Sequence, residues 1–207
     1  TRVLSAIITN LGGEFKPLSE RYLAGSMAGN IMLPSEWRFS MDPENSGLKK
    51  QWQSVSFDDS SWRMIKPGSW ENQGVTDPNP NFSDAKRPYD GFAWYRCKVL
   101  IPETYRGKEL NLLLGAVDDM DTTYFNGEKI GAIGQENKEY WVAVRDYPIP
   151  SKLIKYGGEN IIAIRVLDLR GEGGLMGKEQ QIRISNRKTY PYLNEKPPFN
   201  PYHLTRW

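Results

Sequence analysis

The chain has 207 residues, 39% hydrophobic and 25% charged, with 27 Lys and Arg against 25 Asp and Glu for a net charge of +2. That is the size of one good-sized globular domain with tails. With no basic stripe, no run of about 18 apolar residues and a single cysteine, Cys97, the sequence argues against a nucleic-acid partner, a membrane-spanning helix and an intrachain disulfide. The chain opens at Thr1 without a signal-peptide pattern and is expected to be a mature chain or a piece of something larger.

Residues 1–32 read as a lead-in or linker. Leu4, Ile7, Ile8 and Leu11 have helical spacing, Gly12-Gly13 would stop such a helix, and a small-residue stretch follows from Ala24 to Gly29. From Trp37 onward short apolar runs alternate with turn residues, the pattern of an all-β sandwich or barrel. The clearest strand is Phe92 to Ile101. Ala93, Tyr95, Cys97, Val99 and Ile101 share the inward parity, Phe92, Trp94, Arg96 and Lys98 take the other, and Pro102 ends the run. Leu110 to Leu114 is apolar on both parities and reads as a central strand.

Thr122 to Phe125, Asn126-Gly127 and Glu128 to Ile130 form a hairpin signal, because both turn residues must take positive φ. Trp141 to Tyr147 is a further candidate strand, ended by Pro148 and Pro150. In Asn160 to Asp168, Ile162, Ile164 and Val166 share a parity with Asp168. Gln181 to Ile184 could close the sheet. The sandwich is placed at residues 33–186, and residues 187–207 form a tail rich in Pro and aromatics that suits neither helix nor central strand.

An ordered set of segments carries a resemblance. It comprises Leu33 to Phe39 with Asp42-Pro43, which looks like the opening strand, Phe57-Asp58-Asp59-Ser60-Ser61-Trp62, and Pro67 to Gly74 with its Gly-Ser-Trp-Glu. It continues with Tyr89-Asp90-Gly91 into Arg96, Leu114 to Asp119, Asn126-Gly127 and Ile130-Gly131. Arg145 with Tyr147 and Ile149-Pro150 follows, then Gly158 through Asp168 and Gly171 to Gly174. In this order they resemble the sugar-binding domain of glycoside hydrolase family 2, a galactose-binding-like jelly-roll β-sandwich. They are also similar to the accessory sandwich of sialate O-acetylesterases. The resemblance implies an all-β fold with irregular terminal extensions. It also implies an accessory role beside a catalytic domain on the same or a longer polypeptide, and a periplasmic, secreted or cell-surface bacterial location. It permits a structural calcium but implies no other cofactor.

A sugar site needs a flat aromatic face and polar groups for the hydroxyls. The candidates are Trp70, Glu71, Asn72, Tyr89, Asp90, Asp118, Arg145, Asp168 and Arg170. Asp168 is the most informative, since a carboxylate of core parity must be paired or lie at the open mouth of the sandwich. In family 2 β-galactosidases an Asp at the matching place lines the active site. The alternative is an ion pair with Arg96 or Arg145. Trp70 is either a stacking platform or a plug beneath the sheet, and Trp37, Trp62 and Trp94 read as packing. Asp119 and Asp121 suit turn chemistry.

Other chemistries find little footing. His203, the one histidine, sits in the Pro-rich tail without a Gly-x-Ser-x-Gly elbow, and Cys97 reads as an apolar filler. No catalytic residue is assigned and the metal question is left open. A structural spacer without ligand and a small carboxylate-based hydrolase stand as alternatives to a sugar-binding module. The hydrolase would require two carboxylates about 5 to 10 Å apart across one cleft.

Overall fold

The computed structural model describes residues 29–78, 87–177 and 181–186. The helical spacing at Leu4 to Leu11 and the C-terminal tail lie outside these residues. Two antiparallel six-stranded sheets form a β-sandwich. The first is ordered β1 (Asn30–Met32), β12 (Arg183–Ser185), β6 (Leu110–Asp118), β11 (Gly174–Leu175), β4 (Gly68–Ser69), with β9 (Val144–Ile149) on the other edge of β6. The second is ordered β3 (Arg63–Ile65), β2 (Trp37–Met41), β5 (Gly91–Leu100), β10 (Glu159–Asp168), β7 (Met120–Phe125), β8 (Glu128–Ile133).

The inward parity of β5 packs as its alternation predicts: Ala93, Tyr95, Cys97 and Val99 join Ile162, Ile164 and Val166 of β10 in the main core. Leu110, Leu112 and Leu114 of β6 face them from the opposite sheet. Asn126 (φ 48°) and Gly127 (φ 89°) make the β7–β8 turn with both residues left-handed, as a two-residue hairpin requires. β12 pairs with β6 and β1, so the last described segment does join the first sheet.

Three elements depart from the sequence reading. The segment from Leu33 to Phe39 is not one strand, because Leu33–Glu36 separates β1 from β2. The ninth strand begins at Val144 rather than Trp141 and runs through Pro148 to Ile149. Among the described residues it pairs only with β6, so the missing proline N–H breaks no central ladder.

The largest departure concerns the outer face of β5 at Arg96; Trp94 on that face packs, as its sequence reading has it. Trp94 and Arg96 have outward parity yet are buried, because residues 42–62 fold back across the sheet. Trp52, Trp62 and Trp94 pack there with Ala163, Phe57 and Tyr124 in a second, smaller core. Arg96 anchors this excursion through Asp59 (2.8 Å) and the Trp52 carbonyl. Asp42 anchors its other end, accepting from the amides of Ser46 (2.7 Å) and Gly47 (2.9 Å) and from Trp94 Nε1 (3.0 Å). The Phe57 to Trp62 motif is thereby explained: Asp58 accepts from the Ser60 amide, Asp59 pairs with Arg96, and Trp62 fills the small core.

Asp42→Ala would leave two buried donors, the Gly47 amide and Trp94 Nε1, and the part-buried Ser46 amide without this acceptor. Denaturant unfolding should show a loss of about 2–4 kcal/mol, since each unsatisfied donor costs ~1–3 kcal/mol and partial rehydration recovers some of it. A change below about 0.5 kcal/mol would contradict this account of the excursion.

Candidate functional site

Three strand ends converge at one mouth of the sandwich. β10 terminates at Asp168, which pairs with Gly91 and so lies beside Asp90. β6 terminates at Asp118, which pairs with Gly174 of β11. Gly174 in turn pairs with Ser69 of β4. The Gly171-to-Gly174 loop is laced to this corner, with Trp70 N–H donating to the Gly173 carbonyl at 2.8 Å. Asp119 closes the other side: its N–H meets the Leu167 carbonyl at 3.3 Å, and its Oδ2 accepts from the Leu169 amide at 2.8 Å. The Asp118–Asp119 peptide is cis.

Asp168 lies at the centre of this corner, 1% exposed. Its Oδ1 accepts from the Arg170 amide at 3.0 Å, while its Oδ2 has no hydrogen-bond partner among the described residues. A Cβ at Gly173 would stand 2.7 Å from Oδ2 and collide with the Trp70 ring, so glycine is what lets the loop close over the carboxylate. Burial pushes the Asp168 carboxyl up to about 8, and the charges of Asp119, Asp90 and Asp118 add to it against the Arg170 hydrogen bond. Asp118, half-buried beside it, is pushed up to about 7 by burial and by the adjoining Asp119 carboxyl; Arg145 opposes the rise.

The alternative, an ion pair between Asp168 and Arg96 or Arg145, does not form, because both guanidinium groups are engaged elsewhere. Arg96 holds Asp59, and Arg145 holds Asp121 at 2.9 Å with both side chains fully buried. Arg145 also donates to the carbonyls of Tyr140 (2.6 Å), Ala143 (2.6 Å) and Asp119 (2.9 Å). Tyr147 O–H donates to the same Asp121 carboxylate, as does Thr123 Oγ1. Asp121 is therefore a buried ionic anchor and Asp119 a wall of the mouth, and the turn role expected of both is corrected. A carboxylate's partner from another strand, 24 residues away, leaves no signature in a local window.

The remaining candidates divide. Trp70 is fully buried, its Nε1 on Tyr95 Oη (2.6 Å) and its ring against Phe39 and Tyr89. It offers no face for stacking and is the plug that was its alternative reading. Tyr89 is likewise buried, with its hydroxyl on the Phe92 carbonyl. Arg145 is enclosed by its own network. Glu71, half-buried, accepts from Ser69 Oγ, and Asn72 is exposed on the same short 3-10 turn. Asp90 and Arg170 are exposed at the rim. The mouth thus gathers Asp168, Asp118 and Asp90 of the expected set. It adds Asp119 and Glu172, whose charge reaches Asp118. Among the described residues, no three His, Cys, Asp or Glu are arranged to hold a metal ion.

Comparison with known proteins bears on this arrangement. Residues 31–187 match the family described as glycosyl hydrolases family 2, sugar binding domain. A β-glucuronidase of Formosa agariphila is 25% identical over 126 residues, covering 59% of this chain and 12% of that protein. The crystal structure of Ruminococcus gnavus β-glucuronidase superimposes with a TM-score of 0.54 at 23% identity, covering 67% of this chain and 21% of that one. The same enzyme with an N1-substituted uronic isofagomine gives 0.55 at 24%, covering 67% and 22%. The chain therefore spans only about a fifth or less of these relatives, and the structural likeness bears on the fold alone.

The raised carboxyl of Asp168 ties stability to pH. The folded chain keeps a proton that the unfolded chain releases near the ordinary value of 3.8, so its contribution is full below that pH and is lost as pH rises towards about 8. The slope is on the order of 1 kcal/mol per pH unit within that window. Thermal melts should show Asp168→Asn gaining on the wild type as pH rises, reaching about 5 °C or more in mild alkali. A difference in Tm that is the same at every pH would contradict a buried, cation-free Asp168.

Proposed function

The chain belongs to the glycosyl hydrolases family 2 sugar binding domain family, and from that membership we propose that it is an accessory, carbohydrate-facing sandwich. It offers the carboxyl groups of Asp168 and Asp118 to the hydroxyls of a sugar. The catalytic machinery belongs to another domain on the same or a longer polypeptide, and the location is periplasmic, secreted or at the cell surface. The observation that carries this reading is Asp168 Oδ2, a buried carboxyl oxygen without a hydrogen-bond partner among the described residues, at the end of β10. A buried polar atom of that kind calls for an explanation, and a ligand hydroxyl, able to donate or to accept, suits the carboxyl in either protonation state.

A second reading, a spacer domain without ligand, draws on Trp70, Tyr89 and Arg145. All three are satisfied within the fold and leave no aromatic platform at the mouth among the described residues. It accounts for those three residues and leaves Asp168 unexplained. A lone carboxylate contact without ring stacking supports only weak binding, with a Kd on the order of millimolar.

Calorimetric titration of the chain with methyl β-glycosides of neutral hexoses tests the choice. The sugar-facing reading expects saturable heats that Asp168→Ala abolishes while the near-ultraviolet circular dichroism stays unchanged. Flat titrations across the panel would establish the spacer.

A further inference from the structure

We propose that Trp141, on the link between β8 and β9, is a stacking platform for a sugar ring, and that the ligand it takes is a β-linked glucan or xylan segment. The inference rests on the carbohydrate-facing reading of the chain and adds a contact that uses none of the mouth's acids.

Trp37, Trp52, Trp62, Trp70 and Trp94 are each 9% exposed or less, whereas Trp141 is 42% exposed and Val142 beside it 54%. Single apolar side chains at a surface need no explanation, but an indole carried on a fixed turn is a different matter. The turn is closed by its own backbone, with the amides of Val142 (3.1 Å) and Ala143 (2.9 Å) both donating to the Glu139 carbonyl. Asn137 Oδ1 accepts from the Glu139 amide at 3.1 Å and extends the lacing towards β8. Buried Arg145 fixes the turn from within: its Nη1 donates to the carbonyls of Tyr140 and Ala143, each at 2.6 Å, which flank Trp141 and Val142 in the chain. The half-buried Tyr140 ring meets the indole edge-on, at 88° with centroids 5.2 Å apart. A turn held in this way loses little freedom when a ligand arrives.

The chemistry of an indole face selects the ligand. Its negative π cloud attracts the slightly positive C–H bonds on the face of a pyranose. Gluco- and xylo-configured rings in β linkage carry their substituents equatorially, so both of their faces are flat arrays of C–H. Exposed Gln135, Asn137 and Lys138 on the same link are polar groups for the hydroxyls at the ring's edge. The apolar patch is confined to Trp141 and Val142 beside the exposed polar run from Gln135 to Glu139. That is small for a protein interface and enough for about one or two sugar rings.

The test titrates cellohexaose and xylohexaose into the isotope-labelled chain. Two signals are followed: the Trp141 indole N–H, assigned by its loss in Trp141→Ala, and the Asp168 side-chain carboxyl. Both hexaoses should move the indole signal saturably, and Trp141→Ala should weaken binding at least about tenfold. Trp141→Phe, which keeps a smaller aromatic face, should weaken it less than Trp141→Leu, which keeps apolar bulk without one. Asp168→Ala should leave the indole shift in place. An indole signal that neither hexaose moves, while the Asp168 signal shifts, overturns the platform and leaves the carbohydrate-facing reading standing. If neither these hexaoses nor the methyl glycosides give any response, both fall. Self-association of the chain that Trp141→Ala abolishes would assign the exposed indole to a protein contact and likewise overturn the platform.

Discussion

One buried ion pair clips the mouth of the sandwich together. Arg145 stands on β9 of the first sheet and Asp121 on β7 of the second, so their 2.9 Å contact, with both side chains fully buried, spans the two layers. Tyr147 from the Arg145 strand and Thr123 from the Asp121 strand complete the carboxylate's shell. Removing one member of such a pair costs ~3–5 kcal/mol, because the other is left buried and charged. The same guanidinium pins the Asp119 carbonyl and the Tyr140-to-Ala143 segment, and so fixes where β6 turns into β7.

This arrangement determines the state of the neighbouring acids. With Arg145 committed to Asp121, Asp168 and Asp118 are left without a counter-charge of their own among the described residues. The fold holds them there by packing. Trp70 seals the floor beneath the Gly173 carbonyl, Gly173 admits the loop against Asp168, and the β5–β10 ladder delivers Asp168 to its place opposite Gly91. Asp168 Oδ2 is the carboxylate oxygen among several buried polar atoms left without a hydrogen-bond partner among the described residues, a local inconsistency of the kind that function commonly explains.

Much of the frame was legible in the sequence because it depends on local rules. Period-two alternation marked β5 and β10, Asn126-Gly127 marked the hairpin, and the core parity of Asp168 marked an anomaly before any contact was known. The rest depended on tertiary placement. The outward parity of Trp94 and Arg96 is correct, yet no window shows that residues 42–62 return to cover them. Trp70 sits in a loop whose sequence suits a platform and a plug equally, and only its bond to Tyr95 separates the two. Asp119 and Asp121 lie two residues apart in a turn-like run, and their roles come from Leu169 and Arg145, distant in the chain. Pro148 suggested a strand end because its edge position is a property of the sheet, not of its neighbours.

The central claim is that Asp168 is held at the mouth without a cation. Its most direct test is a pH titration of the Asp168 side-chain carboxyl by carbon-13 NMR in the chain free of sugar. A midpoint near 8, several units above an ordinary aspartate, is the result this account requires. A midpoint near the ordinary value would mean that a cation or solvent already satisfies the carboxylate, and the case for a sugar-facing Asp168 would lose its foundation.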